Sequence, residues 1–144
     1  MKRRELLGVL GATAAGLTAV MGSPASASSP DKAHEDCLKA CSDCAKTCDH
    51  TFHHCYLQVA EGKRDHAKAL HLASDCAAFC SLAACMIAKH SPLMAHSCEA
   101  CAEACKACAA ECDKISSPEM KACAESCRDC ETACRAMVKK MSSH

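Results

Sequence analysis

Cysteine recurs along this chain in steps of three and four residues, and that spacing restricts the fold more than any other feature. The unit Cys-x3-Cys-x2-Cys-x3-Cys occurs three times, at 37–48, 101–112 and 123–134. Residues three and four apart share one face of an α-helix, whereas successive strand residues alternate between faces. Each unit therefore predicts a helix with a continuous stripe of sulfur. The first helix carries Cys37, Cys41, Cys44, Cys48 and Cys55, with Phe52 in the position between the last two. The third carries Cys98, Cys101, Cys105, Cys108 and Cys112. The fourth carries Cys123, Cys127, Cys130 and Cys134, and Met137 and Met141 continue its rhythm. On the second helix, Cys76 and Cys80 share a face with Leu72, Ala73, Ala83 and Ile87. Cys85 follows Cys76 by nine residues, about 180° round at roughly 100° per residue, and should point away from the ladder. Phe79, Leu82 and Met86 form a second apolar stripe there, which predicts a contact between subunits of a homo-oligomer.

Punctuation along the chain sets the helix limits. Ser29-Pro30, Ser91-Pro92 and Ser117-Pro118 each place a capping hydroxyl before a proline at a first helical position. Gly62 is a natural stop for the first helix. The expected helices run over about 30–61, 65–90, 92–114 and 118–141. Loops this short join antiparallel neighbours, so the fold class is all-α, an antiparallel up-down-up-down four-helix bundle. Trp is absent, and Phe52, Phe79 and Tyr56 are the only Phe and Tyr residues. With so few large side chains, cysteine must line the core.

The first 27 residues read as a signal peptide, leaving 28–144 as the bundle. A basic head, Lys2-Arg3-Arg4, precedes an apolar Gly/Ala-rich run from Leu6 to Met21, and Ala25-Ser26-Ala27 matches a signal peptidase site. Arg3-Arg4 ahead of Leu6-Leu7 resembles a twin-arginine export signal, so the expected location is periplasmic or otherwise extracytoplasmic. Lys and Arg number 17 and so do Asp and Glu. That balance gives no electrostatic attraction to nucleic acid, and no stretch after residue 27 is expected to span a membrane.

Three uses for so many thiols compete. Packing alone would be served by alanine or leucine without the risk of oxidation. Disulfides suit an exported cysteine-rich chain. However, neighbours on one helix have Cβ atoms about 5–6 Å apart, where a disulfide needs about 3.5–4.5 Å. Metal suits the wider spacing, and thiolates select Cu(I), Zn(II) or iron–sulfur clusters. Zinc wants four thiolates per ion, and several such dianionic sites stacked in one dry core would repel. The ferredoxin spacing Cys-x2-Cys-x2-Cys-x3-Cys is absent. Cu(I) accepts two or three thiolates, and at close to one ion per thiolate the core is nearly neutral. The expectation is a non-enzymatic store or buffer of many Cu(I) ions, with a disulfide-bonded structural or redox protein and a zinc or iron–sulfur protein as alternatives.

With its three cysteine units, exported precursor and few aromatics, the chain resembles the bacterial four-helix-bundle copper storage proteins, most closely across Cys98–Cys134. The resemblance implies that the core cysteines bind many Cu(I) ions, mostly as thiolate pairs, and that the protein associates as a tetramer. Such a store implies a copper-receiving protein. Cys85 fits the pattern badly. The bundle end gathering His34, Met86, His90, Met94, His96, Met137 and Met141 is expected to admit copper, with Met94, Met137, Met141, His34 and His90 as weaker ligands beside Cys85. The opposite end, with Phe52, Tyr56, Leu57 and Leu70, reads as a plug, although His53, His54, His66 and Met120 lie near it.

Overall fold

Each helix starts and stops for a local reason in the computed structural model, which describes residues 31–143. The expected signal segment 1–27 lies outside those residues. Helix α1 (Lys32–Ala60) opens on Asp31, whose carboxylate accepts from the Ala33 N–H at 3.1 Å. Asp31 thus takes the capping role expected of Ser29, and its charge also pairs with Lys140 from the end of the chain. The helix closes on Gly62, at φ +91°. The Gly62 N–H donates to Val59 O at 2.9 Å and the Lys63 N–H to Gln58 O at 3.0 Å, the paired bonds of a Schellman motif.

A 3-10 turn, Arg64–His66, leads into α2 (Ala67–Ala88), which ends by the same device. His90 donates to Ile87 O at 3.0 Å and Ser91 to Met86 O at 3.0 Å. Here the left-handed position, φ +49°, is held by a histidine, where a β-carbon is unfavourable and glycine is the usual choice. His90→Gly should therefore stabilise the metal-free protein by about 1 kcal/mol. Chemical denaturation of the two proteins checks this, and a loss of stability would show that the imidazole holds the turn together.

Helix α3 (Met94–Cys112) begins two residues later than the Ser91-Pro92 pair predicts. Ser91 already serves the end of α2, and its hydroxyl accepts from the Leu93 N–H at 3.1 Å, so Pro92-Leu93 form a turn before the helix proper. Helix α4 (Pro118–Ser142) follows the expectation: the Ser117 hydroxyl accepts from the Met120 N–H at 3.2 Å, and Pro118 opens the helix.

Each helix backbone packs on its two neighbours in a ring, α1 on α2 and α4, and α3 on α2 and α4, while the diagonal pairs meet through side chains at the axis, as Cys44 and Cys105 do at 3.9 Å and Cys76 and Cys127 at 3.9 Å. This is the antiparallel up-down-up-down bundle. Its buried positions keep a step of four and three on every helix. The axial seam is 37, 41, 44, 48, 51 and 55 on α1; 69, 73, 76, 80, 83 and 87 on α2; 94, 98, 101, 105, 108 and 112 on α3; and 120, 123, 127, 130, 134 and 137 on α4, with Ala45, Ala77, Ser97, Ala102, Ala109, Glu111 and Ala124 buried beside it at the helix contacts. A 3.5-residue repeat keeps one seam facing the partners along the full length of a bundle.

That register corrects the place given to Phe52. The buried residue between Cys48 and Cys55 is Thr51, whose hydroxyl is satisfied by donating to Thr47 O at 2.9 Å. Phe52 is turned outward and 38% exposed. The apolar stripe of α2 also stays outside, with Phe79 and Leu82 exposed and Met86 half-buried. This stripe and the buried seam together give an 18-residue window within Arg64–Ala88 a mean hydropathy of 1.6, long and apolar enough by composition to cross a membrane. Its inner face is occupied by Cys76 and Cys80, which ties the helix to the bundle.

Candidate metal centre

Sixteen cysteines, all those in the sequence except Cys85, are fully buried, and their sulfurs meet along the bundle axis. Beginning where α1 and α3 start, Cys37, Cys98 and Cys134 converge. Then come Cys41, Cys101, Cys130 and Cys134; next Cys44, Cys80, Cys105 and Cys130; next Cys44, Cys48, Cys76 and Cys127; and last Cys48, Cys108, Cys123 and Cys127. Within each group the sulfurs lie within 4.8 Å of one another. Many are closer: Cys41 to Cys134 and Cys80 to Cys101 are at 3.5 Å, Cys76 to Cys105 at 3.6 Å, and Cys44 to Cys127 at 3.7 Å. Cys112 joins the stack through Cys108 at 4.0 Å. No sulfur pair stands at the roughly 2.05 Å of a disulfide. Cys85 is exposed on the outer side of α2 and takes no part in the stack, as its phase on that helix predicts.

The sharing decides which metal fits. Cys134, Cys130 and Cys44 each belong to two successive groups, and Cys48 and Cys127 both belong to the last two. Zinc takes four ligands, and five groups that share members cannot each be a separate four-thiolate zinc site. Bridging thiolates and ions of low coordination number satisfy the same geometry. With metal–sulfur bonds of ~2.3 Å, sulfurs 3.5–4.0 Å apart subtend about 100–120° at the ion, the range of three- and four-coordinate sites. A linear pair needs the sulfurs to part by less than about 1.2 Å.

Without metal, the core shares protons. Hydrogen bonds from Cys101 and then Cys127 push the Cys105 thiol up, and hydrogen bonds from Cys108 and then Cys123 do the same to Cys48. Cys44, hydrogen-bonded first to Cys105, is pushed down. Burial, followed by the charges of Cys123 and Cys108, pushes Cys55 up to about 11. An arriving cation must therefore displace protons, and each one it displaces removes the penalty on a buried thiolate.

Residues 30–139 match the copper storage protein family. The chain belongs to that family. Its core cysteine clusters bind multiple Cu(I) ions, held as cargo in a non-enzymatic store. Among solved structures, the Cu(I)-bound copper storage protein BsCsp3 is 35% identical, with 74% of this chain and 98% of that one covered and a TM-score of 0.69. A cytosolic copper storage protein from Streptomyces lividans carrying five coppers is 27% identical, with 75% and 93% covered and a TM-score of 0.69. The family therefore includes cytosolic members. The uncharacterised cysteine-rich protein YhjQ of Bacillus subtilis (strain 168) is 38% identical over 69 residues, 47% of this chain and 61% of that relative.

The two ends of the stack differ from the middle. Where α1 begins and α4 ends, Met94 and Met137 are buried and Met141 is half-buried. The rings of His34 and His90 lie 5.3 Å apart, while Met86 is half-buried and His96 exposed. His34 Nδ1 is 3.2 Å from an Asp31 carboxylate oxygen, and its Nε2 is buried with no hydrogen-bond partner. At the other end the expected apolar plug is absent. Tyr56 and Leu57 are 57% and 46% exposed, Phe52 faces outward, and Leu70 is half-buried. Met120 is buried there instead, in contact with Cys55. Met120 precedes Cys123 by three residues and continues the α4 ladder at its start, as Met137 continues it past Cys134.

Proposed function

We propose that this chain stores and buffers Cu(I), with Cys37, Cys41, Cys44, Cys48, Cys55, Cys76, Cys80, Cys98, Cys101, Cys105, Cys108, Cys112, Cys123, Cys127, Cys130 and Cys134 as ligands. The observation that carries the reading is the sharing of Cys134, Cys130, Cys44, Cys48 and Cys127 between successive groups. Shared thiolates make the core one continuous chain of positions, so that ions add without each needing a private cage. Each ion replaces protons of comparable total charge, which keeps the filled interior near neutrality.

Copper enters at the end where α1 begins. Met94, Met137 and Met141 offer thioethers there, His34 offers an unpartnered buried nitrogen, and His90 is held beside it in a left-handed conformation. A strained conformation persists when the surrounding structure or the function requires it. Weaker donors outside stronger ones pass a soft ion inward. Changing Met94, Met137 and Met141 together to leucine conserves volume and removes the sulfurs. Loading from a Cu(I)-chelator donor, followed by stopped-flow absorbance, should slow several-fold with capacity nearly unchanged; an unaltered rate would place admission elsewhere.

Residues 1–27 direct export by the twin-arginine route, and the exported protein is a tetramer held by the exposed Phe79–Leu82 face of α2. The Arg3-Arg4 pair and that apolar face support the two parts of this reading. Protein recovered from the extracytoplasmic fraction should begin at Ser28 by mass spectrometry and scatter light as a tetramer. Replacing Phe79 and Leu82 by glutamate should give monomers of unchanged copper capacity. An intact Met1, or an assembly indifferent to those two changes, contradicts the corresponding part.

A further inference from the structure

Helix α2 is apolar on the side away from the thiols as well as on the side that carries them. At about 100° per residue, Leu82 lies opposite the buried Ala73 and Cys80 and points straight out of the bundle. Phe79 and Met86 flank it on one side, at about 60° and 40°, and Ala78 and Cys85 flank it on the other, at about 40° and 60°. Ala78, Phe79, Leu82 and Cys85 are exposed and Met86 is half-buried. The stripe is about 120° wide, the width of a helix face inside a bundle and more than the narrow seam of a two-helix contact needs. Charges close it at both ends. Asp75 and Lys89 stand seven residues before and after Leu82, within about 20° of its direction, and both are exposed. Along one helix they are about 21 Å apart, too far to pair. Among the described residues neither is in an ion pair.

We propose that the α2 helices of four copies of this chain pack on one another as a central antiparallel bundle, with Leu82 at its middle and each Asp75 level with Lys89 of a neighbour. Reversing a helix about Leu82 exchanges positions 75 and 89, so one self-complementary face pairs both charges in every antiparallel contact. Moving the midpoint to between Phe79 and Leu82 would instead set Asp75 level with Met86, a carboxylate desolvated against an apolar side chain. The two flanks serve two different neighbours. Phe79 and Met86 fill one contact, while the small Ala78 and Cys85 let the other pair of helices approach closely. That contact covers Cys85, the one thiol outside the copper stack. A membrane is the other occupant that so apolar a helix suggests, and it would leave both charges without a partner in hydrocarbon.

This proposal rests on the reading of the α2 face as a subunit contact, and its test separates the two. Light scattering of the full chain at low salt should give four copies. Asp75→Lys alone, or Lys89→Asp alone, sets like charges level with each other and should weaken the assembly about tenfold or more. The double variant Asp75→Lys, Lys89→Asp should recover the parent's affinity, because the pair is restored only between antiparallel copies. In the copper-loaded parent, Cys85 should react with iodoacetamide about tenfold more slowly than in the Phe79→Glu, Leu82→Glu chain. Single variants as tight as the parent overturn the proposed register, as do a double variant as weak as the singles, a parent that is a dimer, and a Cys85 equally reactive in both chains. A parent assembly unchanged by Phe79→Glu, Leu82→Glu overturns the α2 contact itself. A parent that is monomeric and floats with phosphatidylcholine vesicles puts a membrane on this face instead.

Discussion

Filled with Cu(I), the bundle is expected to unfold tens of degrees above its metal-free form. The metal-free form is folded, because its helices are closed by their own devices. Asp31 and Ser117 cap α1 and α4, and paired terminal hydrogen bonds close α1 and α2. Its core is weak, however. Ile87, Met120 and Met137 are the largest fully buried side chains, and the rest is mostly alanine and cysteine. At about 25 cal/mol per Å² of apolar area, such small residues each contribute little. A ligand that binds the folded state at a thousand times its dissociation constant adds about 4 kcal/mol per site. For a domain of this size, about 1 kcal/mol moves the midpoint by roughly 3–6 °C. Two tightly filled sites alone therefore raise it by roughly 25 °C or more, and this core offers many. Far-ultraviolet circular dichroism during heating, with and without copper, measures the difference. A metal-free chain without helix contradicts the packing argument, and equal midpoints contradict binding in the core.

Most of this fold is legible in the sequence because one residue type marks the buried face. Cysteine at four-and-three spacing gives the axis of α1, α3 and α4 directly, and the same phase sets Cys85 apart. The failures occur where sulfur gives way to other chemistry. Phe52 follows Cys48 by four residues and looked like the next rung, yet the alternation of four and three requires Thr51. A hydroxyl that satisfies itself on the preceding turn can be buried, and an aromatic ring at the neighbouring phase cannot. Ser91-Pro92 has the spelling of a helix start, but Ser91 already completes the end of α2.

The approach of the His54 and His66 rings is hidden in the sequence for a related reason. His54 and His66 lie on different elements, and their approach depends on the angle of the 3-10 turn after Gly62, which no periodicity encodes. Apolar content near the α1 end likewise says nothing of direction. Tyr56 and Leu57 look like a plug in the sequence, and the structure turns them to the surface.

The second large effect is capacity. Fourteen of the sixteen buried thiols stand in groups that share members, with Cys55 and Cys112 extending the stack beyond them. At roughly one ion per thiolate the charges cancel, and both electrostatics and thiolate chemistry favour continued filling until the core is used. A structural or delivery protein has no need of such a stack, since two or three thiolates suffice to hold and pass on one Cu(I) ion. Titration of the reduced chain with Cu(I) against a strong competing chelator is the most direct measurement. On the order of ten or more ions per chain should be withheld from the competitor. Saturation at one to three ions would contradict the account and make this bundle a copper carrier.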